Sequence, residues 1–343
     1  MYFDELPVSI RIFGIGNAGG MALQHMINSG LEDAEHGEVS FIYADTDAQA
    51  LACSGAGHKI LLGKELLHGC GTESRPELGT KAAEESLDVI REAIGDADLL
   101  FLVAGMGGGT GTGAIPVIAR AANELGVLTV CVITKPFHIE GAKPMQIALQ
   151  GISELLLYEN CLITISNDRL PLDSPSSEHA DLLKKADEAM CSAVCGISDL
   201  ITKSGVITAD FADIRTVISK PGLAFMGKGI ASGQNRALHA ARKALSSPLL
   251  ENIAVSDAHA ILVNITAAGD VGLDEFCCAA GFICDAAESL KGKEQELITA
   301  LSLDEHCGDE MRITVIAIGF NSTFSKQTGA VPQIGSGPCQ GDR

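Results

Sequence analysis

Two glycine-rich segments have the composition of phosphate-binding loops. The first, Gly14 to Gly20, satisfies the spacing GxGxxG, and the second, Gly105 to Gly113, has glycine at six of its nine positions. Glycine lets a ligand approach the backbone closely, and the N–H groups at a helix N-terminus bind anions. Each segment is therefore predicted to join a strand to a helix and to hold phosphate.

The first loop does not by itself decide the class of protein. A Rossmann dinucleotide site has the same spacing, with Asp45 as its ribose-binding acid, and a tight turn without any ligand also fits. The second loop favours a polyphosphate, because a plain turn does not need six glycines and a Rossmann domain has no second loop. It lacks the lysine of a Walker loop, and Thr110 and Thr112 add hydroxyl groups.

Short apolar runs alternate with amphipathic stretches in the first half of the chain. This alternation predicts a parallel sheet covered by helices on both faces. The predicted strands are Val8–Phe13, Val39–Tyr43, Asp98–Val103, Val127–Ile133 and Cys161–Ser166. The predicted helices are Met21–Ser29, Lys81–Ile94, Gly113–Leu125 and Met145–Leu157.

A long amphipathic helix is predicted over His179–Lys203, where apolar residues recur at steps of three and four. Beyond it, helices at Ala212–Ser219 and Arg236–Leu245 and strands at Ala260–Thr266 and Met311–Ile318 indicate a second α/β domain with a mixed sheet. The predicted organisation is a nucleotide-binding domain at 1–178, a linking helix at 179–204, a C-terminal domain at 205–320 and a disordered tail at 321–343.

The formal net charge is −20, from 24 basic and 44 acidic residues. Such a surface repels phosphate backbones and anionic lipids, so we expect no nucleic-acid partner and no direct membrane binding. Like subunits also repel, so self-association is expected to need salt or a divalent ion.

Eleven cysteines are present, with no CxxC pair and no zinc-ligand spacing. They are expected to be reduced thiols in the core, with neither disulfides nor a metal site. The acidic N-terminus and the lack of any apolar run of about 18 residues favour a cytoplasmic protein.

At the second loop the sequence resembles a known family. Gly107 to Gly113 reads GGGTGTG, the signature of the tubulin and FtsZ family, and Ile207–Val217 resembles the catalytic loop NxDFAD of that family. Thr134–Phe137, Asn167-Asp168, Ser246–Glu251, Leu262–Thr266 and Leu273–Phe276 also resemble FtsZ segments. The similarity runs from about Ile10 to Ile318 and is closer to bacterial FtsZ than to tubulin.

The resemblance implies a GTPase that polymerises head to tail in cell division or a related filament role. GTP or GDP would lie on one subunit, with Mg²⁺ held mainly through the nucleotide, and the catalytic loop of the next subunit would supply Asp210, Asp213 and Thr208. Without the family, Asp210 and Asp213 indicate only an acidic first helical turn. The partners implied are other copies of this chain and other FtsZ-family filaments. The nucleotide contacts implied are Gly16, Asn17, Ala18, Gly19, Gly20, Asp45, Gly71, Thr72, Gly107, Gly108, Gly109, Thr110, Gly111, Thr112, Gly113, Glu140, Asn167, Leu183 and Asp187.

Several positions depart from the FtsZ pattern. The departures are Met21, Asp45, Glu73, Pro144, Leu183, Asp187 and Thr208. Leucine replaces the aromatic residue that stacks on guanine, and Glu73 places an acid where phosphate is expected. A carboxylate at Asp187 can still accept from guanine N–H groups. These changes leave open a structural relative that assembles with little or no hydrolysis, and a Rossmann oxidoreductase remains the weakest alternative.

Overall fold

The computed structural model describes residues 8–31, 37–158, 161–170, 179–203, 205–207, 209–250, 253–287 and 296–320. Thr208 and the predicted tail at 321–343 lie outside the described residues. Among the residues described, no helix is both long and apolar enough to cross a membrane.

The described chain alternates strands and helices through most of its length. The strands are β1 Ser9–Ile15, β2 Glu38–Asp45, β3 His58–Leu61, β4 Leu99–Gly105, β5 Leu128–Lys135, β6 Cys161–Ser166, β7 Gly205–Ile207, β8 Gly222–Ser232, β9 Ala260–Ala267, β10 Glu296–Leu303 and β11 Glu310–Phe320. The helices are α1 Gly16–Asn28, α2 Ala48–Cys53, α3 Lys64–Leu67, α4 Pro76–Glu85, α5 Leu87–Ile94, α6 Thr110–Glu124, α7 Ala142–Leu155, α8 His179–Thr202, α9 Phe211–Ile218, α10 Arg236–Leu245 and α11 Leu273–Ala287.

All eleven strands form one sheet, in the order β3-β2-β1-β4-β5-β6-β8-β11-β9-β10-β7. Strands β1 to β6 pair in parallel, whereas β11 runs antiparallel to both β8 and β9. The mixed part predicted for the second half is present. It is continuous with the first half, because the start of β8 pairs in parallel with the start of β6.

Alternate residues of the central strands supply two separate cores. In β4, Leu100 and Leu102 pack with α6 on one face, whereas Phe101 and Val103 pack with α1 and α8 on the other. All four side chains are fully buried, as expected for a parallel strand covered on both sides. The long helix α8 therefore lies on the same face of the sheet as α1.

The predicted helix Lys81–Ile94 is two helices in the structure, separated at Ser86. The hydroxyl of Ser86 accepts a hydrogen bond from the backbone N–H of Gly63 at 3.0 Å, which fixes the break. The elements that were not predicted are strands β3, β7, β8 and β10 and helices α2, α3 and α11. In β8, glycines replace side chains where α10 packs, since a Cβ at Gly229 would lie 2.0 Å from the carbonyl oxygen of Ala240. Its apolar alternation is correspondingly weak.

The ten cysteines in the described part of the chain are all free thiols. The expectation that the cysteines are core residues is wrong for four of them, which are exposed on short or peripheral helices or in loops. These four are Cys53, Cys70, Cys277 and Cys278.

Two helical glycines are predicted to respond oppositely to alanine. A Cβ at Gly113 would lie 2.0 Å from the carbonyl oxygen of Pro76 in α4, so Gly113→Ala should destabilise the protein by about 1–3 kcal/mol. A Cβ at Gly281 in α11 meets nothing within 4 Å, so Gly281→Ala should stabilise it by about 0.4–1 kcal/mol. Urea unfolding of both variants measures the difference, and equal effects would contradict the packing described.

Candidate functional site

A cavity of about 540 Å³ opens where five parallel strands end. Its wall includes the last residue of β1, β2 and β4, and residues at the ends of β5 and β6. Crevices at the carboxyl ends of parallel strands are the usual ligand sites of open α/β sheets. The cavity is therefore the candidate nucleotide site.

Both predicted glycine loops lie at this cavity, and each includes the first turn of a helix. Helix α1 begins at Gly16 directly after β1, and α6 begins at Thr110 inside the second loop. Gly16 and Gly107 have φ of 70° and 102°, which favours glycine. The N-termini of α1 and α6 therefore both lie in the wall of one cavity, where backbone N–H groups and helix dipoles attract anions.

Three threonine hydroxyls meet on the floor of the cavity. Thr110 Oγ1 is 2.6 Å from Thr46 Oγ1 and 3.3 Å from Thr72 Oγ1. They come from α6, from the end of β2 and from the loop before α4, so three separate segments converge. Hydroxyl groups can both donate and accept, and they suit phosphate or a hydrated cation.

Asp45 is a buried carboxyl in the wall of the cavity. Its Oδ2 accepts a hydrogen bond from the hydroxyl of Tyr43 at 2.7 Å, and its Oδ1 accepts from the backbone N–H groups of Thr46 and Asp47. Burial raises the pKa of Asp45 above its ordinary value, although these hydrogen bonds oppose the shift. Asp45 thus holds the turn after β2 in place.

Asn167 presents an unpaired acceptor at the end of β6. The residue is 7% exposed, and its Oδ1 is buried without a hydrogen-bond partner within the described protein. An unmet buried acceptor is unfavourable by about 1–3 kcal/mol. Because Asn167 lines the cavity, a donor on a bound ligand can satisfy this oxygen.

Most of the predicted contact residues line the cavity, and the structure brings them together from seven segments. They are Gly16, Asn17, Ala18, Asp45, Gly71, Thr72, Gly108, Gly109, Thr110, Gly111, Glu140, Asn167 and Leu183.

The remaining predicted contacts lie outside the lining. A Cβ at Gly19 would lie 2.3 Å from the carbonyl oxygen of Val103, so this glycine packs α1 onto β4. The hydroxyl of Thr112 accepts a hydrogen bond from Gly107 N–H at 2.9 Å and braces the loop. Gly20 packs against the ring of Tyr43. Gly107 and Gly113 are likewise packing positions, against Pro144 and Pro76.

Asp187 also lies outside the lining, one helical turn beyond Leu183 on α8. It is 8% exposed, and burial, aided by the neighbouring charge of Glu188, raises its pKa to about 7. Its carboxyl therefore changes charge near neutral pH.

The acid at Glu73 is paired. Arg75 Nη2 lies 2.9 Å from Glu73 Oε2, and both side chains are largely exposed. Glu73 and Ser74 have φ of 49° and 60°, so this loop turns through the left-handed region without glycine. Ser74 lines the cavity, whereas Glu73 is absent from the lining.

Some cavity residues were not predicted as contacts. Thr46 and Asp47 follow β2 directly, and Thr134 stands in β5 at the same edge of the sheet. Their position immediately after or within apolar strands was a usable signal, because the ends of parallel strands share one edge. Asp47 also caps α2 by accepting from Gln49 N–H at 2.8 Å.

The predicted catalytic carboxylates lie far from this cavity in the same chain. Asp210 caps α9, accepting from Ala212 N–H at 3.0 Å, and Asp213 is exposed on the first turn. The second half of α9 lines a small cavity with residues that precede β5 and with Cys161, the first residue of β6. Helix α9 therefore packs at the opposite, amino ends of β5 and β6.

The parallel sheet, the two glycine loops and the long helix α8 define a tubulin-like GTPase. The family model "Tubulin/FtsZ family, GTPase domain" matches residues 9–172, and "FtsZ family, C-terminal domain" matches residues 222–321. The chain belongs to the FtsZ family.

Known FtsZ proteins are similar to this chain over most of its length. It is 43% identical to the cell division protein FtsZ of Coxiella burnetii over 91% of this chain and 79% of the relative. It is 44% identical to the cell division protein FtsZ of Buchnera aphidicola subsp. Schizaphis graminum over 90% of this chain and 79% of the relative. An empty FtsZ dimer from M. jannaschii superposes with a TM-score of 0.85 at 33% identity, covering 94% of this chain and 91% of the other. The chain is thus a filament-forming GTPase of the cell-division type.

Gly108→Val is predicted to abolish nucleotide binding in a folded protein. A Cβ at Gly108 meets nothing within 4 Å, so the valine can point into the cavity without displacing protein atoms. Gly109 is a poorer choice, because its Cβ would lie 2.2 Å from Thr72 Oγ1 and disturb the loop. Gly57→Val, also in open space but outside the cavity lining, is the control. Wild-type GTP affinity in folded Gly108→Val, measured by calorimetry, would refute this assignment.

Proposed function

We propose that this chain hydrolyses GTP at a site completed by two subunits assembled head to tail. One subunit holds the nucleotide in the cavity at the carboxyl ends of its strands, and the next subunit supplies Asp210 and Asp213. The observation that carries the proposal is the placement of α9 at the opposite ends of β5 and β6. Thr208, beside these residues in sequence, belongs to the same proposed loop.

The phosphates would be bound chiefly by backbone groups. The described lining contains no lysine, arginine or histidine, and it includes three acids, Asp45, Asp47 and Glu140. The N–H groups of Gly108 to Gly111, the N–H groups in the first turn of α1 and the dipoles of α1 and α6 are the available positive groups. A Mg²⁺ ion would neutralise phosphate charge when bound, and the hydroxyls of Thr46, Thr72 and Thr110 suit its hydration shell.

The base would lie against α8. Leu183 lines the cavity from this helix, and Asp187 follows one turn later. An ionised carboxylate at Asp187 can accept from the N1–H and amino group of guanine, whereas adenine has no N1–H. The unpaired Oδ1 of Asn167 would accept a hydrogen bond from the nucleoside.

Distance and charge favour catalysis between subunits. The eight residues of β5 span about 23 Å at roughly 3.3 Å per residue, and α9 packs at the far end of that strand. Asp213 therefore cannot reach the phosphates of its own cavity. Delivered by a neighbouring subunit, it would orient the attacking water, and turnover would then depend on assembly.

We also propose a cytoplasmic homopolymer that can join other FtsZ-family filaments in cell division and binds neither nucleic acid nor membrane directly. Free thiols at all ten described cysteines support a reducing compartment. The net charge of −20 supports both the absence of anionic partners and a requirement for salt or divalent ions during assembly.

Asp213→Ala should keep nucleotide binding and filaments but reduce GTP turnover by at least about 100-fold, because only the water-orienting carboxylate is lost. Mixing Asp213→Ala with Gly108→Val should restore part of the activity, since one chain supplies the nucleotide and the other supplies Asp213. Phosphate release at several protein concentrations measures both effects.

Light scattering provides the control that mixed filaments form. Asp257→Ala, which removes an acid from a short 3₁₀ helix that belongs neither to α9 nor to the cavity lining, is the matched charge control and should keep wild-type turnover. The shared-site proposal fails if mixed filaments form and the mixture remains as inactive as either parent.

Base selection is predicted to depend on pH through Asp187. Its pKa of about 7 means that the carboxylate is mostly protonated at pH 6 and mostly ionised at pH 8. The preference for GTP over ATP should therefore rise by roughly 5- to 10-fold between pH 6 and 8. Asp187→Asn should remove this dependence. Glu188→Gln should move it to lower pH, because Glu188 raises the pKa of Asp187. An unchanged pH profile in Asp187→Asn, measured by competition titration, would exclude Asp187 as the cause.

A further inference from the structure

Two cysteines on α8 bring their sulfur atoms together beneath α1. Cys191 Sγ lies 3.6 Å from Cys195 Sγ and 3.9 Å from the hydroxyl oxygen of Ser29, at the end of α1. Cys191 is 7% exposed and Cys195 is partly exposed, so the pair is sheltered but open on the Cys195 side. The established nucleotide chemistry does not use either thiol.

The two thiols contact each other directly, and either sulfur atom can be the donor in that contact. Ser29 is the polar neighbour of Cys191 on the side of α1. The geometry therefore places two potential sulfur ligands side by side.

Helix geometry opposes a disulfide at this position. Residues four apart in a helix have Cβ atoms about 5–6 Å apart, whereas a disulfide requires about 3.5–4.5 Å. A soft metal ion bound between the two sulfurs does not require the Cβ atoms to come that close. With metal–sulfur bonds of about 2.3 Å, the observed 3.6 Å separation corresponds to a sulfur–metal–sulfur angle of about 100°. Rotation of the two side chains can open that angle while the helix stays intact.

We propose that Cys191 and Cys195 form a two-thiolate site for one soft monovalent cation, Cu(I). Thiolates are the ligands that select Cu(I), and this ion accepts low coordination numbers. Binding displaces the thiol protons of both cysteines, which pass to solvent, and leaves both sulfurs as thiolates. Zinc fits less well, because it needs about four ligands and no group of three His, Cys, Asp or Glu side chains in the described residues is arranged to hold a metal.

The site can be tested on the full chain by anaerobic titration with Cu(I) held in its coloured bicinchoninate complex. Wild-type protein should remove one Cu(I) per chain in a tight phase. Cys191→Ser and Cys195→Ser should each weaken that phase by at least about 100-fold, since losing one of two ligands exceeds the 10- to 100-fold effect of outer contacts. X-ray absorption of the one-to-one complex should show two sulfur neighbours.

The matched control is the double variant Cys277→Ser/Cys278→Ser. These thiols are exposed neighbours on α11 whose side chains point apart, so the tight phase should remain. Circular dichroism establishes that each variant is folded, and the sulfur count of the wild-type complex needs no variant at all. Three results would overturn the proposal: no tight phase in wild type, a tight phase retained in folded Cys195→Ser, or copper held only by surface thiols, shown by its loss in the control.

Discussion

Backbone-to-backbone contact between glycines is the constraint on which the nucleotide site depends. A Cβ at Gly16 would lie 3.0 Å from Gly111 N, and one at Gly111 would lie 2.6 Å from the carbonyl oxygen of Gly105. These spacings leave no room for side chains, so α1 and α6 can begin next to each other at the ends of β1 and β4. Two sets of free N–H groups then lie beside one cavity, although each loop alone is a common turn.

This arrangement explains how an acidic protein can hold a polyphosphate without a basic side chain in the described lining. Arg75 directly follows the lining residue Ser74, but its guanidinium is paired with Glu73. In the proposed function, the attraction comes from backbone dipoles and from the Mg²⁺ ion that we propose accompanies the nucleotide. Dipoles fixed by packed glycines need no rearrangement when the ligand binds, whereas a mobile lysine would lose side-chain entropy.

Sequence patterns predicted the central parallel strands, because β4 and β6 are buried on both faces and appear as unbroken apolar runs. The edge strand β3, which is only four residues long, was missed. The sequence patterns did not predict β8. The packing of α10 requires glycine at Gly227 and Gly229, and these glycines interrupt the apolar residues of the strand. In the site, composition identified the second glycine loop, whereas the threonine cluster depends on contacts between segments far apart in sequence. Local composition also could not separate glycines that face the cavity, such as Gly108, from those that pack helices, such as Gly113.

The continuous sheet has a consequence for assembly. Because β8 extends the parallel strands directly at β6, α9 and the cavity are held at opposite ends of one hydrogen-bonded body. A contact between opposite ends of identical subunits joins two different surfaces, and each added copy exposes the same free ends again. Such heterologous association continues as a filament unless rotation between subunits closes a ring. In the proposed head-to-tail assembly, the same contact geometry is repeated from subunit to subunit, and the fold that places Asp213 far from the cavity also supplies the two different ends that a filament requires.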